Sequence, residues 1–375
     1  MAIKVCHMTS THRPKDQRIF YKECVSLAKA GYEMYLVEQG NSEDVAGVHI
    51  VGTQEQKKGR YYRLLVRPFK VYQIAKKLDA DIYHFHDMEL LPFGLKLKRK
   101  GKKVIFDYHE DFAMSFADSD ALPAPNWIKN LIAKLYCRYE HYSVRKLDAM
   151  VSVTPHICDR LAKSNPNTVM VTNYPLLDVG AWKQEMQYHA ESGYVAFAGQ
   201  ISETYNVPFI AKALQTIKDI EFRICGPLRK TDDLEKVKAG DQNGIVNYLG
   251  VLPHTEIPLF FNNARTAIVI PGYSNYTGGT LGTVGSNKLF EAMLCGVPVV
   301  CTDYTLWKEL NQKWNCGICV NPYDEKQLAD AVQYILDHPA EAEEMGKNGR
   351  KAVLEEYNWN TQAQILLELY EKLTA

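Results

Sequence analysis

The segment GSNKLFEAMLCGVPVV, residues 285–300, places charged and polar side chains at the start of an amphipathic helix, directly ahead of an apolar strand. A helix N-terminus has unpaired backbone N–H groups and partial positive charge, so it attracts anions. Ser286 or Asn287 is suited to cap the helix. Lys288 adds a point charge suited to a phosphate, and Glu291 lies one turn further along the same face, where it can accept hydrogen bonds from ribose hydroxyls.

A glycine-rich stretch, GYSNYTGGTLGTVGSN, leads into this helix, and its last glycine is Gly285. Glycines let a backbone approach a ligand closely and adopt positive φ. The residues alone leave an alternative open, in which Asn287 only caps, Lys288 and Glu291 are a solvated surface pair, and the glycines form a mobile loop.

Other polar residues follow predicted strands in the first half of the chain. His109 lies at the end of the strand KKVIFDY and precedes two carboxylates, where its imidazole can donate to a sugar hydroxyl; a core-edge histidine is the alternative. Asp16 and Arg18 open a helix after the first strand. They are suited to an acceptor or phosphate role, or else Asp16 caps the helix and Arg18 pairs with it.

Two patterns could suggest a metal. In HFHD, His84 and His86 place two imidazoles on one side of a strand next to Asp87, but a third ligand at clear spacing is missing. Cys316 and Cys319 form a lone C-x-x-C without a second pair, which favours core packing. The sequence therefore predicts no metal and no cofactor beyond a co-substrate.

The elements that position these residues alternate between strand and helix. The strands IKVCHM, EMYLVEQG, DIYHFHD, KKVIFDYH and AMVSVT are separated by amphipathic helices, and the alternation restarts at YVAFAGQ. Such alternation predicts parallel sheets covered by helices on both faces. We expect two doubly wound α/β domains, residues 1–178 and 190–357, with a linker near residues 176–192.

Composition limits the class of protein. The 375 residues are 46% apolar and 23% charged, with 44 basic and 44 acidic side chains, which is typical of a globular chain. Residues 1–180 hold 27 basic against 20 acidic side chains, a balance of +7, so the remainder is −7.

No apolar run reaches membrane-spanning length, no secretory segment opens the chain, and the nine cysteines are irregularly spaced. A cytoplasmic location with reduced thiols is expected.

SNKLFEAMLCGVPVV, followed by CGICVNP, resembles the donor-binding segment of the family 4 glycosyltransferases, which are retaining enzymes of GT-B architecture. The stretches DQRIFYKECVSLAKAGYEMYLV, DIYHFHDMELLPFGLKLK and KKVIFDYHED resemble a bacterial branch that assembles surface polysaccharides. The likeness extends from near residue 7 to about residue 360. It implies two Rossmann-like domains facing a cleft, with a C-terminal helix at about 358–375 packing back on the N-terminal domain.

The resemblance also implies roles for single residues. Lys288 would hold the donor diphosphate, Glu291 the ribose, and His109 would face the donor sugar; these three are the catalytic candidates. Gly285, Ser286 and Asn287 would contribute at the helix start. On the acceptor side the candidates are Asp16, Arg18 and His86.

Three family features are absent. The first carboxylate of the usual E-x7-E pair is replaced by Thr283. After the strand glycine, Gly199, the usual arginine is replaced by Gln200, and the later basic residue by Asn206 or Val207. Arg229 and Lys230, just past the strand FRIC, are the nearest cations that could compensate.

The sequence thus predicts a retaining glycosyltransferase that moves a sugar from a nucleotide diphosphate donor to a polysaccharide, oligosaccharide or lipid-linked acceptor. The missing charges suggest an alternative, a catalytically weak sugar-nucleotide-binding accessory protein. The basic, aromatic segment 57–77 predicts peripheral contact with the inner face of a membrane, with a solvated helix face as the alternative, and no nucleic-acid module is recognisable.

Overall fold

Alternating strands and helices build two separate parallel sheets in the computed structural model, which describes residues 2–54, 59, 61–108, 125–177, 182 and 193–375. One unit comprises Met1–Asn173 with Asn360–Ala375, and the other Tyr174–Trp359. Two α/β units with parallel sheets confirm the predicted fold class. Most of the predicted linker lies outside the described residues.

The first unit is built on an eight-stranded sheet of order β3-β4-β2-β1-β5-β6-β7-β8. Its strands are β1 Lys4–Met8, β2 Glu33–Glu38, β3 Glu43–Val45, β4 Val48–Gly52, β5 Ile82–Phe85, β6 Lys103–Tyr108, β7 Ala149–Ser152 and β8 Thr168–Met170. All neighbours are parallel except β3 and β4, which form a hairpin that the sequence analysis missed. Its turn, Ala46 and Gly47, has φ of +52° and +79°, as a two-residue hairpin turn requires.

Helices connect these strands. They are α1 Gln17–Cys24, which has π-helical turns and continues as Val25–Lys29, α2 Tyr62–Val66 continuing as Arg67–Leu78, α3 Leu91–Lys98, α4 Asn126–Val144 and α5 Pro155–Ala162. Because helices cover the sheet, its central strands are largely buried: all four residues of β5 are buried, and Phe85 stacks on Phe106 of β6 with ring centroids 4.4 Å apart.

The second unit has a six-stranded, all-parallel sheet of order β11-β10-β9-β12-β13-β14. Its strands are β9 Tyr194–Ala198, β10 Phe222–Cys225, β11 Val246–Tyr248, β12 Ala264–Val269, β13 Val299–Thr302 and β14 Gly317–Val320. Its helices are α6 Val207–Ala213, α7 Asp233–Gly240, α8 Ile257–Asn262, α9 Asn287–Leu294, α10 Thr305–Trp314, α11 Glu325–Asp337 and α12 Pro339–Glu355.

Helix α9 is the element that presents the quoted motif. Its apolar face, which includes Leu289, Phe290 and Met293, is fully buried, so the helix is fixed against the sheet. The helix is followed by Gly296 at φ +72°, as a left-handed C-terminal cap requires. A Cβ on Gly346 of α12 would lie 2.0 Å from the Gly296 carbonyl oxygen, so only glycine allows α12 to pack this closely.

The nine cysteines are all free thiols. Cys316 is buried, and the Sγ atoms of Cys301 and Cys319 lie 3.7 Å apart on the adjacent strands β13 and β14.

The last helix, α13 Trp359–Thr374, joins the first unit, where Tyr370 is fully buried. None of the described helices combines the length and apolar character needed to cross a membrane.

Candidate active site

The order of the second sheet reverses between β9 and β12, since the chain adds β10 and β11 on one side of β9 and β13 and β14 on the other side of β12. In doubly wound sheets such a switch point, at the carboxyl ends of the strands, is where ligands bind. The residue after β9 is Gly199, and the segment before α9 runs from the end of β12. Most predicted donor-site residues lie in these two connections.

Lys288 crosses directly over Gly199. A Cβ on Gly199 would lie 2.0 Å from the Lys288 Cε and 2.7 Å from its Cδ, and a φ of +153° favours glycine there in any case. The Lys288 ammonium lies 3.7 Å from the centroid of the Tyr205 ring, a cation–π contact. The surface-pair alternative is therefore not supported, because Lys288 is drawn to the end of β9 rather than to Glu291.

The ends of β9 and β10 are also unusually close. A Cβ on Gly226, the residue after β10, would lie 1.9 Å from the Gly199 carbonyl oxygen. The Gly199 N–H donates to the Cys225 carbonyl at 2.9 Å. Two glycines therefore bring the backbones of adjacent strand ends together next to the Lys288 side chain.

Helix α9 starts without a side-chain cap. Ser286 precedes the helix, but its side chain makes no capping hydrogen bond. Asn287 is the first helical residue, so the prediction that Asn287 could cap the helix is corrected. The Gly285 N–H donates to Thr283 Oγ1 at 3.0 Å. The first N–H groups of α9 thus keep the capacity to bind an anion.

The loop ahead of α9 is held in place by aromatic side chains. Trp307 Nε1 donates to the Thr283 carbonyl at 2.6 Å, and the Tyr304 hydroxyl donates to the Gly272 carbonyl at 2.7 Å. Burial raises the pKa of Tyr304 to about 12, so this donor stays neutral. A Cβ on Gly282 would lie 2.4 Å from the Tyr304 Cβ. These contacts favour an ordered loop over the mobile one that the sequence left open.

Glu291 is paired with a histidine that the sequence analysis missed. Its Oε1 lies 2.9 Å from His254 Nε2, and the ring of His254 lies against that of Trp182, with centroids 5.3 Å apart. The Glu291 side chain keeps 16% exposure. No motif marks His254 or Trp182, since each is distant in sequence from α9.

The positions where the family has extra cations have other roles here. Gln200 is half-buried and uncharged. Asn206, at φ +54°, donates to two backbone carbonyls at 2.9 and 3.0 Å and therefore shapes the turn. Arg229 is exposed, and its Nη1 donates to Thr204 Oγ1 at 2.6 Å. Arg229 follows β10, and through Thr204 it contacts the loop that Gln200 begins after β9.

In the first unit, Asp16 caps α1, since its Oδ1 accepts from the N–H groups of Arg18 at 2.8 Å and Ile19 at 3.2 Å. The Arg18 guanidinium is 5% exposed and pairs with Asp107, through Nε at 2.7 Å and Nη2 at 3.0 Å, rather than with the Asp16 side chain. An acceptor role for these residues stays a prediction. His109 lies outside the described residues.

His86 is fully buried in a cluster of titratable side chains. Its Nδ1 lies 3.1 Å from Asp107 Oδ2, and its Nε2 lies 3.0 Å from His7 Nδ1. His7, Glu23, His84 and His86 each place one ligand atom within 4.8 Å of the others. Burial lowers the pKa of His7 and raises that of Glu23. Sequence spacing offers HFHD no third ligand, whereas strand pairing and α1 bring His7 and Glu23 next to its two histidines.

Comparisons with known proteins agree with this architecture. The sequence model of "Glycosyltransferase Family 4" matches residues 17–173, and that of "Glycosyl transferases group 1" matches residues 179–352. The chain is similar to an alpha-maltose-1-phosphate synthase of Mycolicibacterium smegmatis, with 27% identity over 63% of this chain and 66% of the relative. It is also similar to the O-antigen chain mannosyltransferase B of Escherichia coli, with 30% identity over 40% of this chain and 38% of the relative.

A solved structure of the sucrose-phosphate synthase tll1590 from Thermosynechococcus elongatus has the same fold, with a TM-score of 0.73, 18% identity and 99% coverage of both chains. The fold is therefore that of the GT-B glycosyltransferases. The two matched regions together span most of the chain, and the chain belongs to the family 4 glycosyltransferases. The chain spans less than two thirds of the length of these two curated relatives.

Proposed function

We propose that this chain transfers a sugar, with retention of anomeric configuration, from a nucleotide diphosphate sugar to a polysaccharide, oligosaccharide or lipid-linked acceptor. The observation that supports it most is Lys288, in the first turn of the uncapped helix α9, whose side chain passes over Gly199 and holds its ammonium group at the end of β9, over the Tyr205 ring. A pyrophosphate is the group of a sugar nucleotide that such a site would recognise.

Stabilisation of the departing diphosphate is the main chemistry in this proposal. Preorganised cations and backbone N–H groups act where charge develops in the transition state, without reorganising during the reaction. Lys288 and the first turn of α9 supply these groups. Arg229 supplies a second cation and compensates for the uncharged Gln200, since both lie on the connections that follow neighbouring strands, β10 and β9.

Glu291 holds the ribose in this proposal. A carboxylate has two acceptor oxygens, and only Oε1 bonds to His254, so Oε2 can accept from ribose hydroxyls. His109 is assigned to the donor sugar from the family resemblance alone. The name of the Escherichia coli relative, an O-antigen chain mannosyltransferase, supports a glycan acceptor for this chain.

Replacing Lys288 with methionine tests the proposal, because the side chain keeps its length and loses its charge. Release of nucleoside diphosphate from UDP-, GDP- and CDP-sugars, with and without glycan acceptors, is measured on the full chain. We expect kcat/KM for the donor to fall by roughly 10- to 150-fold. Lys218→Met, at an exposed lysine of the same unit, is the control and should keep wild-type activity. Equal activities of Lys288→Met and wild type would contradict the assigned role.

Retention is tested separately. The configuration at the anomeric carbon of the new glycosidic bond is read by NMR from the product of the active donor and acceptor pair. The proposal expects the configuration of the donor, and an inverted product would overturn the retaining part alone.

The alternative of a weakly catalytic, sugar-nucleotide-binding accessory protein rests on two observations: Gln200 has no charge, and the Asn206 side chain donates to backbone carbonyls. Binding measured by thermal shift distinguishes the two. A nucleotide at 100 times its Kd stabilises the fold by about 2.7 kcal/mol. Tight binding without turnover or slow hydrolysis across the panel would favour the accessory protein.

We further propose that the first unit docks on the cytoplasmic face of an anionic membrane. Five large apolar side chains of α4 are exposed at helical spacing, namely Trp127, Leu131, Leu135, Tyr139 and Tyr142, and the exposed basic residues Lys134 and Arg138 lie among them. In α2, Leu65 and Phe69 are likewise exposed beside Arg63 and Lys70. Exposed apolar groups flanked by cations favour an anionic lipid surface.

A further inference from the structure

Four buried ligand side chains meet inside the first unit, and none of them belongs to the donor-site residues of the second unit. His7 lies on β1, His84 on the neighbouring strand β5 directly opposite it, and His86 two residues further on the same face. Glu23 comes from α1. All four have 0% exposure, so the cluster is part of the core.

The distances in the cluster approach those of a metal coordination sphere. Glu23 Oε2 lies 3.8 Å from His7 Nδ1, 3.9 Å from His86 Nε2 and 4.0 Å from His84 Nδ1. These three separations are too long for hydrogen bonds. Ligand atoms around a tetrahedral zinc ion are about 3.3 Å apart, as follows from bonds of about 2.0 to 2.1 Å. Shifts of less than about one ångström therefore bring the ligands to bonding distance.

The outer contacts orient the ligands. Asp107 Oδ2 lies 3.1 Å from His86 Nδ1, which leaves Nε2 directed at the cluster. The Tyr370 hydroxyl lies 2.9 Å from His7 Nε2, which leaves Nδ1 directed at the cluster, and it also lies 2.9 Å from His84 Nδ1. A ligating histidine whose other nitrogen bonds to a carboxylate or another polar group is the usual arrangement at metal sites.

A buried guanidinium fixes the orientation of Glu23. Glu23 and Asp107 are paired with one guanidinium, that of Arg18, whose Nε lies 3.0 Å from Glu23 Oε1 and 2.7 Å from Asp107 Oδ2. Arg18 therefore holds Glu23 through Oε1, and the other carboxyl oxygen, Oε2, is the one that lies nearest the three imidazoles.

We propose that His7, Glu23, His84 and His86 bind one transition-metal ion, of which zinc fits the ligand set best. Three imidazoles and one carboxylate are ligands that zinc accepts in four-coordinate sites, whereas calcium and magnesium prefer oxygen ligands alone. The ion is structural: four protein ligands leave no open position for a substrate. It joins β1, β5 and α1, and through Tyr370 it fixes the C-terminal helix α13 to the first unit.

Metal content of the full chain, purified without a histidine tag and dialysed against metal-free buffer, tests this inference. The protein is unfolded with chelator, refolded with and without zinc, and measured by inductively coupled plasma mass spectrometry and by thermal unfolding. We expect about one zinc ion per chain and a higher melting temperature with zinc. Cobalt(II) in place of zinc should give the visible absorption of a four-coordinate site. A wild-type chain that takes up neither zinc nor cobalt overturns the inference.

Variants locate the ion. Glu23→Gln and His84→Gln should lower metal content at least tenfold. His49→Gln, at a half-exposed histidine that pairs with Asp44, is the matched control and should keep it. Tyr370→Phe removes only the hydroxyl that contacts His7 and His84, and it should weaken zinc binding about 10- to 100-fold in competition with a chromophoric chelator.

If the core variants fail to fold, the cobalt spectrum of the wild-type chain and the Tyr370→Phe affinity decide the question. Metal content unchanged in Glu23→Gln and His84→Gln, or an unchanged affinity in Tyr370→Phe, would show that any bound metal lies elsewhere. Donor turnover is not needed for any of these measurements, so this inference and the proposed function can fail independently.

Discussion

Gly199→Ala tests the position of Lys288 without changing the lysine. The new methyl group would lie 2.0 Å from the Lys288 Cε, well inside van der Waals contact, so the lysine side chain must leave its path over the end of β9. The displaced atoms are the far end of a flexible side chain, so the fold can adjust. The ammonium, however, cannot keep its present place beside the start of α9.

The size of the effect follows from two terms. A hydrogen bond to a charged group is worth about 1.5 to 3 kcal/mol, so losing the Lys288 contact should weaken nucleoside diphosphate binding by roughly 10- to 150-fold. In addition, a φ of +153° is strained for alanine, which should lower the free energy of unfolding by about 1 to 3 kcal/mol. Affinity should therefore fall while the protein remains folded.

Isothermal titration calorimetry with the nucleoside diphosphate that binds best measures the affinity, and urea unfolding measures the stability. Gly244→Ala is the matched control, because Gly244 has a φ of +68° in the same unit but no atom within 4 Å of the added methyl. The double variant with Lys288→Met should bind as weakly as Lys288→Met alone, since both changes remove one contact. Unchanged affinity in Gly199→Ala, or full additivity in the double variant, would refute the reasoning.

Three further predictions concern stability and docking. Burial raises the pKa of Glu38 to about 7, above its ordinary 4.5, so its ionisation opposes folding as the pH rises from 4.5 to 7. Between pH 4.5 and pH 7, the free energy of unfolding of Glu38→Gln, measured with urea, should rise by about 3 kcal/mol relative to that of the wild type. Equal pH dependence of the two free energies of unfolding would contradict this. Trp307→Phe removes the hydrogen bond from Trp307 Nε1 to the Thr283 carbonyl, so it should lower the free energy of unfolding by about 2 kcal/mol and weaken nucleotide binding. Wild-type affinity in calorimetry would exclude the effect on binding. Leu135→Glu should reduce sedimentation with phosphatidylglycerol vesicles while donor hydrolysis stays unchanged, and binding equal to wild type would place the docking surface elsewhere.

Much of the fold follows from local sequence patterns. The alternation of apolar strands and amphipathic helices predicts both parallel sheets, because each pattern depends on residues only a few positions apart. The start and end of α9 are similarly local: Ser286 precedes the helix, and Gly296 follows it at a positive φ. The hairpin β3-β4 was missed because its strands are short, and only pairing with β2 fixes them.

The candidate donor site was predicted in part. Lys288, Glu291 and the helix start were identified from one continuous segment, and Asp16 was weighed as a cap for α1, which it is. The partners of these residues were not identified. His254 lies 37 positions from Glu291, and no spacing rule joins them.

What the sequence by itself determined about this protein is the class of fold and the residues that share one helix or one strand, because those relations repeat with the period of a helix or a strand. Only the tertiary structure decided which distant residues meet. Strand pairing set His7 opposite His84, and α1 brought Glu23 to the same cluster. The close approach of Lys288 to Gly199 likewise depends on how α9 packs against the sheet, which no local pattern specifies.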